Sequence, residues 1–148
     1  MSNNTFLNSY DPLSLPYQSG YGSGRPVTHL PEAAKVSGGL GDLYAVGFLG
    51  KVNGEDLVLL SMRRYRASNG DEESQYYVSI FTTGGEHKGS QAIGRVIRSA
   101  AGWTFAMVNF TASKSGSSYK FDIEQQFEEA KTKSSITISS SGSISKSN

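Results

Sequence analysis

Leu57–Phe81, LVLLSMRRYRASNGDEESQYYVSIF, decides how the rest of the chain is read. It alternates like two strands joined by an acidic turn at Asn69-Gly70-Asp71, a dipeptide type that favours the positive φ of a tight hairpin. In the first strand, Val58, Leu60, Met62, Arg64 and Arg66 share one face, and Leu57, Leu59, Ser61, Arg63 and Tyr65 the other. The apolar half predicts core, and the basic half predicts a segment that runs past the core edge. The second strand, Gln75–Thr83, sets Tyr76, Val78 and Ile80 against Tyr77, Ser79 and Phe81. Guanidinium groups beside phenol rings suit a flexible polyanion with stackable bases.

Upstream, Leu43–Leu49 also alternates, and apolar residues on both faces predict a central strand. Gly47 and Gly50 predict bending or a bulge there. Asn53-Gly54 predicts the hairpin into Leu57. Before this, residues 1–41 hold all four prolines (Pro12, Pro16, Pro26 and Pro31) and several aromatics, and predict an irregular arm. A short helical turn is expected at Pro31–Val36, and a hinge at Gly38–Gly41. The latter lacks the Lys-Ser/Thr pair of a phosphate loop.

Downstream, Ser90–Ala101 fits a helix. Ile93, Val96, Ile97 and Ala100 recur at i, i+3, i+4 and i+7, Ser90 serves as N-cap and Gly102 as the stop. Trp103–Thr111 and Tyr119–Phe127 read as the last two strands. In the final one Tyr119, Phe121, Ile123 and Phe127 face inward, interrupted by Gln125, over an acidic wet face of Asp122, Glu124 and Glu128. From Lys131 the chain is a Ser-rich low-complexity tail. Ile136, Ile138 and Ile144 still alternate there, as in a strand added to a sheet edge.

The expected fold is therefore mainly β: a five-stranded antiparallel OB-like barrel, or a curved sheet, with one helix between strands 3 and 4. Its domain spans residues 42–130, flanked by irregular N- and C-terminal arms at 1–41 and 131–148.

Composition narrows the function. A formal charge of +1 supplies no global field, so any polyanion binding must come from local clustering. The absence of cysteine removes disulfides, thiolate metal sites and a Cys nucleophile. No apolar run matches a membrane-spanning helix, and the start lacks the basic and apolar regions of a signal peptide. A cytoplasmic location, or the host cytoplasm or virion if the protein is viral, is the expectation. Asp71, Glu72 and Glu73 lack the alternate spacing of a calcium loop. His87 beside Glu86 sits in a glycine loop, with only His29 besides, so an exposed, inert imidazole is expected. No metal or cofactor is expected. Without a triad, a nucleophile elbow or a spaced carboxylate pair, neither is catalysis.

Two functions remain. The first is binding of single-stranded DNA or RNA by Arg63, Arg64, Tyr65, Arg66, Tyr76, Tyr77, Lys88, Arg95, Arg98 and Trp103. The second is a structural or assembly subunit, a homo-oligomer whose terminal arms dock on neighbours.

Overall fold

The structure, a computed structural model, describes residues 13–18, 25–26 and 42–147, with side chains from Val46 in the last of these. The arm's remaining residues, including the expected turn at Pro31–Val36, the Gly38–Gly41 hinge and His29, lie outside the described residues.

Ten strands make up the described chain: β1 (Tyr17–Gln18), β2 (Arg25–Pro26), β3 (Asp42–Val52), β4 (Asp56–Arg66), β5 (Glu72–Phe81), β6 (His87–Arg98), β7 (Thr104–Ser115), β8 (Ser118–Phe127), β9 (Ala130–Ile138) and β10 (Ile144–Ser147). Nine of them form one antiparallel ladder in the order β10-β9-β8-β7-β6-β5-β4-β3-β2, and β1 pairs with β7. Each strand from β3 to β9 thus pairs with its successor, a meander whose hairpins are written locally. At the β3–β4 turn, Asn53 and Gly54 have φ of 51° and 84°, the positive pair a type I′ turn requires.

One joint is weak. β6 and β7 share only Ile97↔Ala106 and Arg98↔Thr104 before they separate. Further along, β1 pairs with β7 instead, at Thr111 and Ala112. The two halves of the sheet turn their inner faces toward each other. Leu60, Met62, Tyr76 and Val78 from β4–β5 join Phe110, Phe121, Ile136 and Ile138 from β7–β9 in one buried cluster. The Tyr76 and Phe110 rings meet edge-on at 5.4 Å, a geometry aromatic quadrupoles favour. The outer face of β4 and β5 is buried as well: Leu57, Leu59, Ser61, Arg63, Tyr77, Ser79 and Phe81 are all buried.

The five-stranded OB-like barrel with a helix is corrected. Among the described residues there is no helix, hence none long and apolar enough to cross a membrane. Ser90–Ala101, expected to be that helix, contributes most of β6 instead. The cause is a bulge. Tyr76 pairs with Gly94 but Tyr77 with Ala92, so Ile93 is an extra residue. Ile93 and Val96 therefore both reach the core although three apart, a spacing a regular strand forbids and a helix produces. The bulge imitates a helical stripe. Downstream, Ile136 and Ile138 are fully buried in β9, so the Ser-rich segment completes the core as well as the sheet.

Candidate nucleic-acid interface

The β4–β5–β6 ladder fixes where most of the expected site residues fall. Arg63 lies across from Gln75, which lies across from Arg95; Tyr65, Glu73 and Ile97 form the next row; Arg66, Glu72 and Arg98 form the row at the strand ends. The ladder thus brings arginines together but interleaves carboxylates. Arg66 pairs with Glu72 at 3.7 Å, and Arg95 with Glu73 at 3.7 Å. Glu73 also accepts a hydrogen bond from the Tyr65 hydroxyl at 3.3 Å. The Arg66–Glu72 pair, exposed on both sides, is worth up to about 1 kcal/mol and is screened by salt; Glu73 is more enclosed, but both guanidiniums stay exposed and remain available to phosphates.

The rings fare differently. Tyr76 is 5% exposed and belongs to the core, and Tyr77 is 8% exposed, its hydroxyl donating to Gln75 Oε1 at 2.7 Å. Neither offers a face on which a base can stack. Burial raises the Tyr77 pKa; the Arg63 charge opposes the rise and the Glu73 charge adds to it. Arg63 is buried. Arg64 and Arg98 are exposed. Lys88 stands near the other end of β6, with its ammonium 2.6 Å from Asp56. Ten residues of strand separate it from Arg98, about 30 Å. Trp103 is 56% exposed, the most exposed large apolar residue described, with its ring 5.3 Å from that of Phe105.

The carboxylates of the β4–β5 turn are engaged one by one rather than as a group. Asp71 Oδ1 accepts the Ala100 N–H at 3.0 Å, tying this turn to the one before β7. No cluster of His, Asp and Glu able to hold a metal occurs among the described residues. His87, expected to be exposed, is half-buried with its ring 5.3 Å from that of Phe81.

A site that the sequence reading missed opens where β6 leaves β7. There an open cleft of about 840 Å³ runs between β6, the end of β8, β9 and β10. Arg95, Lys133 and Lys146 line it together with Phe127, and no carboxylate does. Phe127 is 39% exposed, with the Arg95 guanidinium 5.2 Å from its ring centre. Lys146 reaches across to within 3.5 Å of the Ala92 carbonyl. Lys133 sits across the ladder from Glu124, the nearest carboxylate in its register.

Gln125 holds the cleft open. With no β7 partner at Arg95, the Gln125 amide stands in for a strand: Oε1 accepts the Arg95 N–H at 2.9 Å, and Nε2 donates to the Arg95 and Met107 carbonyls at 3.0 Å each. The break in the inward pattern of β8 was visible in sequence as a lone Gln among Ile123 and Phe127. What it bonds to was not. No family model, curated protein or solved structure matches the chain.

Proposed function

We propose that the chain binds single-stranded nucleic acid, without catalysis, along the cleft between β6 and β8–β10. The observation that supports this reading is a single open groove with Arg95, Lys133 and Lys146 on its walls, Phe127 exposed among them and no lining carboxylate. The cations would take phosphates, and the Phe127 ring, already carrying a guanidinium on one side, would stack a base. Base–aromatic stacking contributes roughly 1–3 kcal/mol per base. Arg64, Arg66 and Arg98 extend the basic surface beyond the cleft, whereas Tyr76 and Tyr77 drop out as stacking platforms.

Fluorescence anisotropy with labelled oligonucleotides at several salt concentrations tests the proposal. Three phosphate contacts give a log–log salt slope near −2 for a single strand. The triple substitution Arg95→Ala, Lys133→Ala, Lys146→Ala should flatten it. Binding that survives that substitution unchanged, or no binding at low salt, rejects the site.

One observation favours a second reading, self-assembly. Trp103 protrudes from a turn held by the Ser99 N–H donating to its carbonyl at 2.8 Å and by Asp71 on Ala100. A rigid, exposed Trp is the residue type most enriched at interface hot spots. Light scattering of the free protein and of Trp103→Ala separates this from nucleic-acid binding.

A further inference from the structure

The outer face of β4 and β5 holds a buried guanidinium two of whose nitrogens the fold leaves unsatisfied. Arg63 is 6% exposed, and its Nε and Nη1 are buried without a hydrogen-bond partner among the described residues. The hydroxyls of Ser61 and Ser79, on the same face, are in the same condition. Ser61 precedes Arg63 by one pleat and lies across the ladder from Tyr77, with Ser79 one pleat further along β5. Leu59 and Phe81, both buried, share this face and supply no acceptor.

A guanidinium stays charged at any pH a protein tolerates. Enclosing one without an acceptor is among the most costly arrangements a fold can contain. The carboxylates nearest in the ladder are engaged elsewhere, Glu73 with Arg95 and Tyr65, and Glu72 with Arg66. From this juxtaposition of a buried guanidinium, two of its nitrogens without a partner, and two unpartnered hydroxyls we infer a carboxylate-binding site at Arg63. The guanidinium takes the incoming carboxylate oxygens and the Ser61 hydroxyl provides a further donor. Charge excludes a multiply charged anion, and the two oxygens of a carboxylate match the guanidinium fork. One cation balances a carboxylate, whereas a phosphate monoester carries about −1.5 to −2 at neutral pH and would leave charge buried.

The ligand is the carboxylate of another molecule, with acetate as the probe. Thermal unfolding of the full chain in sodium acetate and in sodium chloride at equal ionic strength tests it, using wild type, Arg63→Met and Arg63→Lys. Acetate raises the wild-type Tm by about 2–4 °C over chloride. Arg63→Met abolishes the rise, and Arg63→Lys, which keeps the charge and loses the fork, reduces it. The proposal is overturned if acetate gives wild type no rise over chloride, or if Arg63→Met keeps that rise.

Discussion

Two tyrosines in different parts of the fold, Tyr77 on the outer face of β5 and Tyr17 packed against the core, share one electrostatic property. Tyr77 has its phenol buried, and burial raises its pKa above the ordinary value near 10; the same holds for Tyr17 in β1. The folded state therefore holds these protons more tightly than the unfolded chain does. Their stabilising contribution is complete below about pH 10 and is lost as pH rises through the folded values. Alkaline unfolding followed by circular dichroism should start above pH 10 and be shallower in Tyr77→Phe. A smaller test concerns Gly94, where an added Cβ would lie 2.6 Å from both Gln125 Oε1 and Val108 Cγ2. Gly94→Ala should cost about 1–3 kcal/mol by overpacking, read as a lower urea midpoint with unchanged slope. Gly94 lies in Ser90–Ala101, the segment whose sequence pattern fits a helix, so its close approach to β7 and β8 follows only from the strand it forms.

β6 is the element on which both the fold and the cleft turn. Its bulge at Ile93 and its early separation from β7 leave a strand edge that only the Gln125 amide completes at Arg95. Gln125→Leu removes acceptor and donor together, and because the Arg95 groups are exposed and only the Met107 carbonyl is part-buried, each lost hydrogen bond costs about 0.5–1.5 kcal/mol. Loss of stability in that range, with faster hydrogen exchange of the Arg95 amide than in wild type, is the expected result. An unchanged exchange rate would mean that β6 finds another partner. Helix and strand compete evenly in Ser90–Ala101 because a bulged strand and a helix both bring residues three apart to one side. Only pairing with β5 breaks the tie, and pairing is not a local property.

For the whole molecule, the Ser-rich segment after Glu129 matters most. Ile136 and Ile138 are fully buried in β9, which also pairs along the whole of β8. Deleting residues 131–148 removes about 1.5–3 kcal/mol for each isoleucine and strips the ladder from β8. Such a chain should be unfolded or aggregated by circular dichroism and light scattering, and would lose the Lys133 and Lys146 wall of the cleft. The sequence alone determined the hairpins: Asn53-Gly54 and Asn69-Gly70 specify turns through φ, and period-two alternation specifies β4, β5, β7 and β8. These are local effects, decided within a few residues. Which arginines meet carboxylates, which tyrosines enter the core and where β6 parts from β7 depend on strand register and on one half of the sheet closing over the other. Only the tertiary structure decided those, because burial and charge pairing are set by neighbours remote in the chain.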